Sequence, residues 1–200
     1  MRRVKPRIIG SRALDQNATV LCENDIFENP LRLGYNQAMI IFVSGSLNSG
    51  KSSTARELKK LMKNTAIVEP DAIREFIADI PIDKAVPIVL ATTVSVIRAL
   101  SQNGLNIIVP YPLSEKNQGY LNGKLRGTKK YFFVLNPDIN TIRKGRGMRK
   151  LTTREKQRIV HHYEIGIHNP KFGLKIDNTK ITPKQAAKMI IQQIGREKTI

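Results

Sequence analysis

Along the chain, short continuous apolar runs alternate with segments in which apolar residues recur at helical spacing. This alternation predicts strands and helices in turn. Residues 39–43 form a continuous apolar run rich in β-branched side chains, typical of a buried parallel strand. Similar short runs predict four more strands, at residues 65–68, 105–109, 131–135 and 174–176. Helical spacing predicts helices at residues 51–63, 71–78, 86–100, 114–121, 152–167 and 182–195. A strand followed by a helix, five times, predicts an α/β domain with a five-stranded parallel sheet flanked by helices.

The alternation starts at Met39, and the residues before it show no clear period. Residues 1–38 mix Arg, Asn, Asp and Pro, and we interpret them as an N-terminal arm, partly disordered. The domain is then expected to span residues 39–200.

Composition is that of a soluble globular protein, with 40% hydrophobic and 25% charged residues in a chain of 200. No run of 18 apolar residues occurs, which argues against a membrane span. The single cysteine, Cys22, excludes an internal disulfide and a cysteine-rich zinc site. One cysteine also fits a reducing compartment, so we expect a cytoplasmic location. The oligomeric state stays open.

Charge is distributed unevenly along the chain. The net charge is +18, and residues 116–200 carry 20 basic against 5 acidic groups. Such a field attracts nucleotides, phosphorylated substrates or nucleic acid. The basic residues beyond those that a nucleotide site needs have a simpler interpretation, as surface charge that keeps the protein soluble.

A complete phosphate-loop pattern, GxxxxGK[ST], follows the first predicted strand and opens a helix, which is the context that the pattern requires. Its glycines let backbone N–H groups point inward, Lys51 reaches the β and γ phosphates of ATP, and the Ser52 hydroxyl ligates Mg²⁺. The predicted nucleotide-binding residues here are Gly45, Ser46, Leu47, Asn48, Ser49, Gly50, Lys51, Ser52 and Ser53.

The residues that follow the other predicted strands indicate which classes of P-loop protein the chain does not match. Asn136, Pro137 and Asp138 follow the fourth strand and lack the lysine of a guanine-reading motif. The third strand runs into Pro110 without a carboxylate, unlike that of a motor-type ATPase. Acids do follow the second strand, at Glu69 and Asp71, and Arg74, one helical turn later, is a candidate to bind an anionic substrate or to pair with an acid.

The P-loop, Asp71, the basic segment 143–149 and the late run 176–179 together resemble small-molecule kinases. The chain is most similar to the chloramphenicol phosphotransferase-like and zeta-toxin-like group, over about residues 39–195. The resemblance implies a P-loop NTPase fold and transfer of the ATP γ-phosphate to a hydroxyl of a small molecule. It also places Asp71 beside that hydroxyl, as general base or Mg²⁺ organiser; the alternative is that Asp71 only caps a helix.

Residues 141–158 hold eight basic groups and one acid, which is the composition of a lid, expected at about 141–151. By resemblance, Arg143 lies against adenine, and Arg146 or Arg149 acts catalytically on the phosphates. Asn178 and Thr179 are further candidates for the adenine site, with an Asx turn as the alternative.

Two other functions compete with this one. The basic C-terminal half suits a nucleic-acid-associated ATP-binding protein or a polynucleotide 5′-hydroxyl kinase. The other competing function is that of a regulatory protein that binds a nucleotide without catalytic turnover. The acceptor pocket is expected from residues 71–100 and 111–127, where Tyr111 and Tyr120 stand. A zinc site is not expected from the three histidines, since their spacing is wrong.

Overall fold

The computed structural model describes residues 38–144 and 150–196 of the chain. The predicted arm lies almost wholly outside the described residues. The elements in chain order are β1 Met39–Gly45, α1 Lys51–Leu61, β2 Thr65–Ile67, α2 Pro70–Glu75, α3 Ile82–Gln102, β3 Asn106–Pro110, α4 Glu115–Lys124, β4 Lys129–Leu135, α5 Ile139–Arg143, α6 Thr153–Glu164, β5 Leu174–Ile176 and α7 Pro183–Arg196. The predicted α/β class is confirmed.

The five strands form one parallel sheet in the order β2-β3-β1-β4-β5. Strand β1 is central and buried along its whole length, which explains its uninterrupted apolar sequence. Because all strands run the same way, their carboxyl ends meet at one edge, where ligands bind in open α/β sheets. The phosphate loop follows β1 at this edge.

Helices cover the sheet on both faces, and alternate β1 side chains enter the two cores. Ile41 and Val43 pack with residues of α1 and α7. Ile40 and Phe42 pack with residues of α3 and α4, and the Phe42 ring stacks on Phe132 with centroids 4.7 Å apart. The two helix layers are therefore α1 with α7, and α3 with α4.

Among the described residues, α3 is the one helix that is long and apolar enough to cross a membrane. Our expectation of no such segment rested on uninterrupted apolar runs, and α3 reaches this hydropathy despite an internal Pro87. A third of its apolar window is buried, with Val89, Val94 and Ile97 in the core. One face of α3 therefore packs against the sheet, and the rest of the apolar window is not buried.

Local signals predicted most helix boundaries well. The capping box of Thr152 and Glu155 is present at the start of α6, and the Ser114 hydroxyl caps α4. The short helix α5 was not predicted, and it occupies the start of the expected lid. Its cap is Asp138, whose carboxylate accepts from the Thr141 N–H at 3.0 Å.

Candidate active site

Steric limits dictate the glycine at the start of the phosphate loop. Gly45 has φ of 135°, in the region that favours glycine. A Cβ there would lie 2.4 Å from the Leu135 carbonyl oxygen and 2.8 Å from the Ser49 hydroxyl oxygen. Gly50, at the other end of the loop, has φ of 96°. The loop thus turns through conformations that other residues adopt only under strain.

Helix α1 presents an open N-terminus to the loop. Its N-cap residue, Gly50, has no side chain to cap it, and its first turn contains no acid. The first N–H groups of a helix have no acceptor within the helix, and the helix dipole places positive potential there. This end of α1 is therefore suited to an anion such as a phosphate.

Lys51 lies buried within the loop that it follows. Its Nζ donates to the Ser46 carbonyl oxygen at 2.7 Å, and the residue is 9% exposed. Burial lowers the pKa of Lys51 to about 8; the Asp71 carboxylate opposes this shift, and the Arg158 guanidinium adds to it. At neutral pH the ammonium is still mostly protonated, so Lys51 offers a poorly solvated positive charge to an incoming phosphate.

Three hydrogen bonds from distant parts of the chain hold the phosphate loop. The Asn48 amide donates to the Ile142 carbonyl of α5 at 2.9 Å. The Leu47 N–H donates to Nδ1 of His162 on α6 at 3.2 Å. The buried Asn178 amide donates to the Ser49 carbonyl at 2.8 Å. The loop is thus fixed in shape before any ligand arrives, which reduces the entropy cost of binding.

His162 is a site residue that the sequence did not reveal. It is 5% exposed, and its pKa is lowered to about 4, first by burial and then by the charges of Arg158, Lys51 and His161. The neutral ring can therefore accept the Leu47 N–H at neutral pH. Sequence reasoning considered this histidine only as a metal ligand; the signal it missed is that His162 follows Arg158 by one helical turn, on one face of α6.

Asp71 lies at the carboxyl edge of the sheet, beside the phosphate loop. It is the second residue of α2 and exposed, while Glu69 takes the N-cap position without a capping bond. The Asp71 carboxylate acts to raise the pKa of both Lys51 and Tyr111. These three side chains therefore share one electrostatic environment, and Asp71 is not the cap of its helix.

Tyr111 follows β3 at the same edge of the sheet and belongs to the core under α3 and α4. It is 8% exposed, and its N–H donates to the Val43 carbonyl at 3.1 Å. Burial raises the pKa of Tyr111, Asp71 raises it further, and Arg158 opposes the shift. Arg158 thus influences both Tyr111 and Lys51, which places this α6 guanidinium in the field of the site.

Asn178, Thr179 and Arg74 were also predicted near the site, and each has different hydrogen-bond partners. Asp177, rather than Asn178, forms the Asx turn, since its carboxylate accepts from the Thr179 N–H at 2.9 Å and from the Thr179 hydroxyl at 2.5 Å. Arg74 donates to three carbonyls of the loop after α2, at residues 77, 78 and 80. Arg74 therefore supports the backbone in this structure rather than facing a ligand.

The predicted lid is described only at its ends. Arg143 is the exposed last residue of α5, next to the Ile142 that receives Asn48. Arg146 and Arg149 lie outside the described residues.

Within residues 38–144 and 150–196, no group of three or more His, Cys, Asp and Glu side chains forms a metal cluster. Ser52, half-buried in the first turn of α1, and Asp71 remain the candidate ligands of a metal bound together with phosphates. Mg²⁺ commonly takes one or two protein ligands and keeps several waters, so these two residues fit it.

A cavity of about 360 Å³ lies between the first halves of α3 and α4. Helix α3 ends just before β3 begins and α4 begins just after β3 ends, so both helices start at the carboxyl edge of the sheet. The cavity lies toward the same edge as Asp71 and the phosphate loop. Its lining comprises Asp83, Val86, Pro87, Leu90, Lys116, Asn117 and Tyr120.

The sheet, the phosphate loop and the uncapped α1 define a P-loop NTPase fold. The family model of the chloramphenicol phosphotransferase-like proteins matches residues 66–195, and the chain belongs to this family. The matched region begins after the phosphate loop, so the loop is independent support for nucleotide binding by this fold. A search of curated proteins found no match.

Solved structures of P-loop kinases share the fold. The tunicamycin resistance protein of Deinococcus radiodurans is 17% identical, with a TM-score of 0.56, 79% of this chain and 96% of that one covered. The APS kinase of Mycobacterium tuberculosis is 18% identical, with a TM-score of 0.60 and coverage of 80% and 98%. A gluconokinase from Sinorhizobium meliloti is 17% identical, with a TM-score of 0.60 and coverage of 81% and 94%.

Proposed function

We propose that the protein is an ATP- and Mg²⁺-dependent kinase that transfers the γ-phosphate to an alcohol hydroxyl of a small molecule. One observation carries the proposal: a buried phosphate-loop lysine and an exposed carboxylate, Lys51 and Asp71, lie in one electrostatic field at the carboxyl edge of the sheet. Membership of a phosphotransferase-like family supports it. A cytoplasmic location completes the proposal.

Phosphate binding falls to the loop and the start of α1. The open N–H groups of the first turn donate to the phosphate oxygens, and Lys51 exchanges the Ser46 carbonyl for a phosphate. A phosphate near Lys51 offsets the desolvation that lowers its pKa, so the bound form keeps the ammonium charged. The Ser52 hydroxyl and the Asp71 carboxylate would hold Mg²⁺, which would supply charge neutralisation to the bound phosphates.

Transfer requires a group that takes the acceptor proton. Asp71 accepts the proton of the acceptor hydroxyl as the hydroxyl oxygen bonds to the γ-phosphorus, and the bond from that phosphorus to the ADP oxygen breaks. Arg158, which acts on Lys51 and Tyr111, provides positive charge where the phosphate charge shifts. Arg146 or Arg149 adds to this charge from the lid, and Arg143 lies against the adenine.

The α3–α4 cavity is the candidate acceptor pocket. Its volume of about 360 Å³ lies within the range of small-molecule sites. Val86, Pro87 and Leu90 form an apolar wall, and the Tyr120 ring stands on the α4 side. Leu90 belongs to the same core cluster as Tyr111, which links the cavity to the residue beside Asp71.

Two variants test the proposal against a panel of hydroxyl compounds, with ADP release as the readout. Asp71→Asn should keep Mg·ATP affinity in calorimetry but slow acceptor-stimulated ADP release by roughly two orders of magnitude, the usual worth of a positioned base. Lys51→Ala should lose both binding and turnover. Asp79→Asn and Lys59→Ala, at exposed positions of the same charge types, are the matched controls.

Full activity of Asp71→Asn would remove Asp71 from the mechanism. Unchanged Mg·ATP affinity in Lys51→Ala would contradict the assignment of the phosphate loop itself.

A further inference from the structure

A basic groove lies between α1 and the start of α7 on one face of the sheet. It has a volume of about 420 Å³ and is lined by Ser53, Arg56, Glu57, Lys60, Thr182, Pro183 and Lys184. Both helices start at the carboxyl edge of the sheet, and Ser53 lies two residues after Lys51. The groove is on the opposite helix layer from the acceptor cavity, so it is a separate surface.

Charge on this layer is almost all of one sign. The exposed basic side chains of α1 and α7 are Arg56, Lys59, Lys60, Lys184, Lys188 and Arg196, against a single acid, Glu57. The larger layer of α3 and α4 has four basic residues and two acids, Asp83 and Glu115. General solubility would not require the cations to concentrate on the smaller layer.

The groove cations are largely unpaired within the described residues. Only Lys60 has an ionic partner, at 2.6 Å from the Glu57 carboxylate, whereas no ion pair is found for Arg56 or Lys184, nor for Lys188, which lies one turn beyond the groove lining on α7. Lys184 and Lys188 are one turn apart on α7, an arrangement of like charges that destabilises a helix by roughly 0.2–0.5 kcal/mol per pair. An anion bound near both ammonium groups would offset this repulsion.

The shape and chemistry of the groove favour a phosphate backbone. Lys184 and Lys188 are separated by a rise of about 6 Å along α7, which is comparable to the distance between successive phosphates of a single strand. The Ser53 and Thr182 side chains add hydroxyl groups at the groove. Helices α1 and α7 carry no aromatic side chain, so nothing on them would stack on bases.

We propose that the α1–α7 groove is a docking surface for the phosphate backbone of single-stranded nucleic acid, bound without sequence preference. Apart from Ser53, the residues that line the groove are not among those assigned to the nucleotide. The groove also shares no residue with the predicted lid at about 141–151, which carries its own arginines.

The test measures the affinity of the full-length protein for a fluorescein-labelled 20-nucleotide RNA of mixed sequence at several salt concentrations. The groove variant combines Arg56→Gln, Lys184→Gln and Lys188→Gln. It should lower the salt slope of log K by about 2, at roughly 0.7 per lost phosphate contact. The matched control removes three exposed lysines away from the groove, Lys84→Gln, Lys124→Gln and Lys129→Gln, and should keep the wild-type slope.

Kinase activity of the groove variant should equal that of the wild type, and its melting temperature should not fall, since the repulsion between Lys184 and Lys188 is removed. An equal loss of slope in the control would show a net-charge effect and overturn the proposal. So would a loss confined to Arg143→Gln, Arg146→Gln and Arg149→Gln, or groove-dependent binding of phosphatidylserine vesicles without binding of RNA.

Discussion

Replacing His162 with Asn should flatten the pH dependence of folding stability. Burial lowers the pKa of His162 from 6.5 to about 4 in the folded protein. An unfolded chain takes up this proton near the ordinary pKa, so the unfolded state binds more protons as the pH falls. Stability from the neutral ring is therefore complete above the unfolded pKa and is lost as the pH falls toward the folded pKa.

The size of the effect follows from the width of that window. Linkage gives about 1.4 kcal/mol per pH unit for one proton. Between about pH 6.5 and pH 5, above most carboxylate titrations, the loss should reach about 2 kcal/mol. His162→Asn keeps an acceptor near the position of Nδ1 for the Leu47 N–H but has no proton to gain, so its stability should change less over this interval.

Urea unfolding followed by circular dichroism, at constant ionic strength and stepped pH, measures the difference. His161→Asn is the control, since His161 lies one residue away with a side chain 63% exposed. His168, whose pKa burial also lowers, contributes equally to both proteins and cancels in the comparison. Parallel pH profiles for the wild type and His162→Asn would refute the reasoning.

Two further predictions concern the loop and the arm. Gly45→Ala should lower both the melting temperature and the Mg·ATP affinity, because its Cβ would lie 2.4 Å from the Leu135 carbonyl oxygen. Gly119→Ala, in α4 with open space around it, should instead raise stability by roughly 1 kcal/mol, and thermal melts of both variants would show whether sterics decide the sign. Deleting residues 1–38 should leave a folded, nucleotide-binding domain, because β1 opens the sheet at Met39; a non-cooperative melt of the truncated protein would show that the arm belongs to the core.

Strands, caps and the phosphate loop could be predicted because each has a local signature. A buried parallel strand is apolar on both faces, so β1 is visible as a continuous run. The capping box at Thr152 and Glu155 needs only two residues at fixed spacing. The short α5 escaped prediction because its five residues give no period, and only its Asp138 cap marks it.

Contacts between distant residues could not be predicted from one sequence. Asn178 was expected near adenine, yet its amide holds Ser49, which is 129 residues away. His162 and Leu47 are 115 residues apart, and Asn48 and Ile142 are 94 apart. None of these pairs leaves a periodic signal, since each depends on how β4 and β5 align beside β1.

These long-range bonds help to explain how the phosphate loop keeps its shape without ligand. The loop has positive φ angles at Gly45, Asn48 and Gly50, and inside it the Ser49 N–H donates to the Ser46 carbonyl at 3.2 Å. Each of the three fixing bonds comes from a different segment after β4 or β5, so the loop conformation depends on the completed sheet. The bond from the Leu47 N–H also requires a neutral His162 ring. Protonation of His162 would place a third cation beside Lys51 and Arg158 and remove the acceptor for Leu47. Burial keeps His162 neutral and leaves the Lys51 ammonium poorly solvated. The folded protein therefore holds a cationic site that a bound phosphate can stabilise.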